Sequence, residues 1–141
     1  MTIKLLSEIL RSRGNKLSPC NARDIENIEQ KLKVKLPEEY LEFLLTMGRG
    51  AGKFMLGSDV FIDELLTLKE GALEIIDENN LPPLPPNAFV FWMHQGYQFA
   101  FFEINEKNQL DIYFFSEGNN MKNYKFLNYS LAEFFYKQLD L

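Results

Sequence analysis

Apolar positions recur along this chain with two different periods, and the change of period divides it. Ile3, Leu6, Ile9 and Leu10 fall at helical spacing and predict an amphipathic helix over residues 3–12. Gly14, Asn15, Ser18 and Pro19 then break the pattern. Asn21 is suited to cap a second helix, with Asp24 in its first turn, where a negative charge favours the helix dipole. Ile25, Ile28 and Leu32 make the buried stripe of that helix. Pro37 suits the first position of a third helix, where its missing N–H costs nothing, and Glu38 and Glu39 follow it. Tyr40, Phe43, Leu44 and Met47 lie at i, i+3, i+4 and i+7 and define one apolar face. Gly48 is expected to end this helix as a left-handed residue.

Residues 49–61 mix Gly50, Gly52 and Gly57 with Phe54, Met55, Leu56, Val60 and Phe61, which predicts a loop with a short strand. Leu65, Leu68, Leu73 and Ile76 predict one further helix, or two interrupted at Gly71, between Asp63 and Asn79. The run L-P-P-L-P-P from Leu81 to Pro86 is stiff and extended, and reads as a connector before it reads as a proline-rich ligand motif.

Beyond Asn87 the period becomes that of strands. A-F-V-F-W-M-H, Y-Q-F-A-F-F-E-I and L-D-I-Y-F-F-S are aromatic and β-branched runs bounded by turn residues. Gln95-Gly96 and the segment Asn105–Gln109 are the expected connections. Strict alternation would place Phe89, Phe91 and Met93 on one face of the first strand and Val90, Trp92 and His94 on the other, both bulky enough for an interior strand. Tyr124–Leu127 adds a short fourth strand. Ser130 caps a last helix to Leu139, with Glu133 at the capping-box position and Leu131, Phe134, Phe135 and Leu139 on its buried side. The expected fold class is α+β: a single domain over residues 1–141, with N-terminal helices packed on an antiparallel β-meander and a C-terminal helix.

Composition sharpens this picture in three places. Thirteen Phe and six Tyr in 141 residues demand an aromatic-rich core and leave rings for the surface. The net charge of −5, with lysines interspersed among acids, argues against a surface that grips nucleic acid directly through its phosphates. The same acidity serves solubility first and a basic partner second. Cys20 is the lone cysteine, so no intrachain disulfide or thiolate metal cluster can form, and a free thiol suits a reducing compartment. No signal-peptide pattern or membrane-spanning run of about 20 apolar residues is present, so the expected location is the cytoplasm, away from any membrane.

Candidate chemistry is sparse. His94 is the only histidine, and it lacks a G-x-S-x-G element, a catalytic-type cysteine or metal-ligand spacing around it; a structural or partner-contacting role outweighs catalysis. Asp59, Asp63 and Glu64 form an acidic patch without the pattern of a calcium loop, and helix capping outweighs cation or partner binding for them. The glycines of G-R-G-A-G, from Gly48 to Gly52, follow a helix rather than a strand and lack G-K-[ST], which excludes a phosphate loop. Glu103, Glu106 and Asp111 read as turn and strand-edge charges rather than a glycosidase pair. No catalytic, cofactor or metal residue is therefore assigned, and no enzymatic activity is expected.

The segment I-E-N-I-E-Q-K-L-K-V-K-L-P-E-E-Y-L-E-F-L-L-T-M-G-R-G resembles the signature of the SUKH superfamily of Smi/Knr-type proteins. The matching positions are Ile25, Ile28, Glu29, Leu32, Leu36, Pro37, Tyr40, Phe43, Leu44, Gly48 and Gly50, and the resemblance extends over about residues 20–139. Met47 stands where the family usually has Asn before its glycine pair. The Trp92 strand with H-Q-G-Y-Q-F and the final S-L-A-E-F-F helix also resemble bacterial members. The resemblance implies non-enzymatic binding of a protein partner. Bacterial members of this type include immunity proteins that neutralise polymorphic or contact-dependent toxins, whereas fungal relatives are regulators of cell-wall synthesis. It implies a cognate toxin domain as partner, with Asp59, Asp63, Glu64, His94, Gln95 and Tyr97 as candidate contacts and a regulatory scaffold as the alternative. Exposed aromatics can mark a homodimer face as readily as a partner-binding face.

Overall fold

A computed structural model describes residues 1–105 and 110–139. Five helices precede, interrupt and close a β-meander. Helix α1 (Ile3–Ser12) is capped by Thr2, whose hydroxyl accepts from the Leu5 N–H, and buries Ile3, Leu6 and Leu10. Strand β1 (Leu17–Ser18) leads to helix α2 (Ala22–Leu32), which opens on a complete capping box between Asn21 and Asp24. Helix α3 (Glu38–Met47) buries Tyr40, Phe43, Leu44 and Met47, the face expected from their spacing. Pro37 stands one position earlier than expected, as the N-cap residue.

Gly48 departs from expectation in kind. Its φ of −64° is right-handed, so no left-handed turn requires glycine here. A Cβ at Gly48 would lie 2.5 Å from the Cys20 Sγ, so the missing side chain makes room for the buried thiol. At Gly71 the structure chooses the first of the two expected alternatives, one helix rather than two. Residues Ile62–Glu64 form a 3-10 turn, and helix α4 (Leu65–Asn79) then runs through Gly71 without interruption. There the absent Cβ admits the Met93 side chain. The 49–61 segment holds two short strands, β2 (Gly50–Ala51), paired with β1, and β3 (Ser58–Asp59).

Strands β4 (Ala88–His94), β5 (Gln98–Glu103), β6 (Ile112–Ser116) and β7 (Lys125–Leu127) follow β3 in one antiparallel sheet, ordered β3-β4-β5-β6-β7 as in the chain. Both central residues of the first hairpin, Gln95 (φ 49°) and Gly96 (φ 75°), are left-handed, as a tight twisted turn requires. The second expected hairpin connection is only partly visible, because 106–109, including Glu106, lie outside the described residues.

One irregularity in β4 overturns the expected alternation. Val90 pairs with Phe101 and Trp92 with Ala100, so Phe91 is an extra residue, a β-bulge. The bulge resets the period. Phe91 and Trp92 both pack against Phe134, at ring-centroid distances of 5.2 and 5.4 Å, while Met93 turns to the opposite face beneath α4. Trp92 and His94 therefore share the side of Phe89 and Phe91 rather than opposing it.

Helix α5 (Leu131–Tyr136) is shorter than its apolar pattern predicts; Ser130 caps it, accepting from the Glu133 N–H at 3.1 Å. Its Phe135 stacks on Phe43 of α3 at 4.5 Å, and Tyr40 meets Phe89 and Phe102 edge-on at 5.3 Å each. The sheet thus lies between α3 and α5 on one face and α4 on the other, with an aromatic core on the α3–α5 side. Edge-to-face and offset rings of this kind add about 0.5–1.5 kcal/mol per pair beyond the area they bury.

Candidate functional site

The end of β4 and its neighbour β3 organise the two surfaces that hold the candidate residues. Ser58 pairs across the strands with His94, and its hydroxyl lies 2.9 Å from the His94 Nδ1. The imidazole lies parallel to the Trp92 indole (6.1 Å between centroids, 6° between planes) and meets the Tyr97 ring edge-on at 5.7 Å. These three rings form one wall of a cleft of about 590 Å³, whose other sides come from the 53–58 loop, Asn15 and the Gln138–Leu139 turn.

The cleft does not assemble a nucleophile, a base and an orienting acid. Ser58 meets the histidine, but among the described residues no carboxylate bonds to the ring to fix its orientation. No group of three His, Cys, Asp or Glu side chains among the described residues is placed to hold a metal ion. The cleft presents stacked rings, apolar side chains and hydrogen-bonding groups. Trp92 is 2% exposed, and its indole Nε1–H has no acceptor.

Asp59 pairs opposite Met93 and so belongs to the other face of the sheet. Asp63 and Glu64 follow in the 3-10 turn. The three acids share a field: burial first, and then the charges of Asp59 and Asp63, push the Glu64 carboxyl above its ordinary value. The Glu64 Oε2 is buried and without a hydrogen-bond partner. The nearby Arg49 spends its guanidinium on Asp24, with contacts of 2.7 and 3.0 Å. A hydrogen bond from the Asn21 backbone, and then that guanidinium, lower the Asp24 carboxyl.

The six candidate residues thus separate into two groups. His94 and Tyr97 line the cleft, and Gln95 is exposed on the turn between them. Tyr97 is 38% exposed, which places it at the surface rather than in the core. Asp59, Asp63 and Glu64 lie on the other side of β3. Sequence reasoning overlooked Lys53, Met55 and Leu56, which complete the cleft. The available signal was an apolar triplet, F-M-L, held between Gly52 and Gly57: Leu56 is 72% exposed, and Met55 holds a left-handed φ of 63°.

No described helix is long and apolar enough to cross a membrane. Compared with known families, residues 19–137 match the model of the SMI1 / KNR4 family (SUKH-1). No curated protein matches the chain.

Proposed function

We propose, from the premise that this chain belongs to the SMI1 / KNR4 family (SUKH-1), that it is a non-enzymatic protein-binding domain acting as an immunity protein. It would bind a cognate bacterial toxin domain in the cytoplasm and occlude it. Family membership supports protein binding, since this family includes immunity proteins.

The observation that carries the reading is the Asp59, Asp63 and Glu64 cluster. Among the described residues these acids have no cation in ion-pairing distance, and Glu64 is held partly buried against two like charges. Burial, and then the neighbouring charges, disfavour the ionised Glu64 carboxyl in the free protein. A basic surface docking there relieves that repulsion and gains steered, fast association, which suits an inhibitor of an enzyme with a cationic active site.

The test begins with a pull-down from the native host with the full chain as bait, followed by mass spectrometry. A stoichiometric partner carrying the C-terminal domain of a large secreted protein is expected. Recovery of envelope or housekeeping proteins alone would replace immunity by a regulatory scaffold. With the partner in hand, the triple change Asp59→Lys, Asp63→Lys and Glu64→Lys is expected to weaken binding by roughly a hundredfold, chiefly through slower association at low salt. Unchanged affinity would remove this patch from the interface.

A further inference from the structure

The cleft beside His94 is a second surface, on the opposite side of β3 from the acids, and its chemistry has the opposite character. We propose that it binds a short acidic peptide segment of a protein partner, one carrying an apolar anchor side chain. The claim needs no toxin, because it concerns a different surface from the acidic patch and a different partner chemistry.

Three observations carry it. First, the cleft carries cationic and hydrogen-bonding side chains: Lys53, Asn15, Ser58 and Gln98 line it, and none of the described residues lining it is Asp or Glu. The chain as a whole carries 20 acids and 15 bases. An occupant rich in acceptors, with negative charge for Lys53, complements these groups. Second, the walls are apolar and aromatic at the mouth as well as the base: Leu56 is 72% exposed and Tyr97 38% exposed. A rigid tyrosine beside an exposed leucine provides an anchor site of the kind that dominates protein interfaces. A bare inorganic anion would leave this surface unused. The volume of about 590 Å³ also exceeds what a single small ion fills and suits a segment of a few residues.

Third, one wall residue holds a backbone conformation that no helix cap or hairpin turn explains. Five described non-glycine residues have positive φ. Lys33 and Asn80 do so as C-caps of α2 and α4. Gln95 does so in the β4–β5 turn and Asn120 in the 117–120 turn, whereas Met55, at φ 63°, lines the cleft. A bulky residue in the left-handed region is uncommon and is held there only by its surroundings, a pattern that clusters at binding sites.

Trp92 is the only tryptophan, so its emission reports on the cleft without labelling. The intact protein is titrated with an acetylated, amidated peptide of sequence Gly-Glu-Phe-Glu-Gly, with its Lys-for-Glu counterpart, and with acetate and phosphate alone. A saturable emission change is expected for the acidic peptide, with a midpoint in the range of about 0.1–1 mM typical of a short flexible ligand. Lys53→Glu is expected to weaken it at least about fivefold, and Tyr97→Ala by about tenfold. Both side chains are at the surface, and far-UV circular dichroism checks that the fold is retained. The triple lysine change in the acidic patch should leave this titration unaltered, which separates it from the toxin reading. An absent emission change, an equal response to the basic peptide, or an equal response to acetate or phosphate alone would each overturn the proposal.

Discussion

Replacing Gly48 by alanine should destabilise the fold for a steric reason alone. The backbone there is right-handed (φ −64°, ψ −17°), where alanine carries no conformational strain. The new Cβ would sit 2.5 Å from the Cys20 Sγ, 2.7 Å from the Leu44 carbonyl oxygen and 2.8 Å from the Leu44 Cα. Ordinary non-bonded carbon contacts lie near 3.5–4.0 Å, so the methyl group intrudes by about 1 Å on three atoms. Two of these are backbone, and the carbonyl is fixed by accepting from both the Cys20 N–H and the Gly48 N–H at 2.9 Å. Overpacking of a well-filled site costs about 1–3 kcal/mol, and the immobile backbone on one side places this case near the upper end.

Equilibrium guanidinium unfolding, followed through Trp92 emission, reads that loss directly. Cys20→Ala alone should cost about 1 kcal/mol as a small cavity. In the double variant the sulfur overlap disappears while the overlap with Leu44 stays, so a favourable coupling of about 1 kcal/mol is expected rather than full rescue. Gly71→Ala is the control. Its Cβ meets only the Met93 Cε at 2.9 Å and Sδ at 3.0 Å, the far end of a flexible side chain. Alanine there also gains about 1 kcal/mol of helix propensity, so stability should hold or rise. A Gly48→Ala protein within about 0.5 kcal/mol of the parent, or strict additivity with Cys20→Ala, would refute the steric argument.

Three further outcomes are expected. Tyr40→Phe should leave stability unchanged or raise it by about 1 kcal/mol in the same unfolding assay, because the Tyr40 hydroxyl is fully buried without a hydrogen-bond partner. Cys20 is buried, and burial with the nearby Asp24 charge pushes its thiol up to about 11; aromatic disulfide reagents at pH 8 should therefore label it only at the rate of unfolding. The Glu39 Oε1 accepts from the Leu131 N–H at 3.0 Å, and burial raises its carboxyl above the ordinary value despite that bond. A raised carboxyl favours the folded state below its unfolded value, and this advantage fades as the pH rises through the folded one. Glu39→Gln, which retains an acceptor, should thus gain stability over the parent at pH 7, and the difference should vanish at about pH 4 in paired denaturation curves.

The helical half of the fold is legible because each helix carries its own signals: Asn21 with Asp24, Ser130, and the i, i+3, i+4 face of α3. The strands are legible in extent, since β4 begins and ends where its aromatic run does. Long-range matters are not. Whether a glycine turns the chain or admits a neighbour depends on what packs against it, so Gly48 is misread from local context and Gly71 is left undecided by it. A bulge leaves no trace in a run of residues that are all large and apolar, so the facing of Trp92, Met93 and His94 is misread with it. The pairing of Ser58 with His94 and Asp59 with Met93 assigns the candidate contacts to two surfaces rather than one. The cleft also needed Lys53, Met55 and Leu56, whose partners lie about 40 residues away across the sheet.

The bulge at Phe91 makes this surface sensitive to length as well as to composition. Deleting Phe91 would restore unbroken pairing with Trp92 still opposite Ala100 and Met93 still opposite Phe99, and would remove the ring that packs against Phe134. A single-codon loss at the bulge would thereby keep the indole and the imidazole on the cleft side, whereas a loss elsewhere in β4 would have to shift the bulge or reface them.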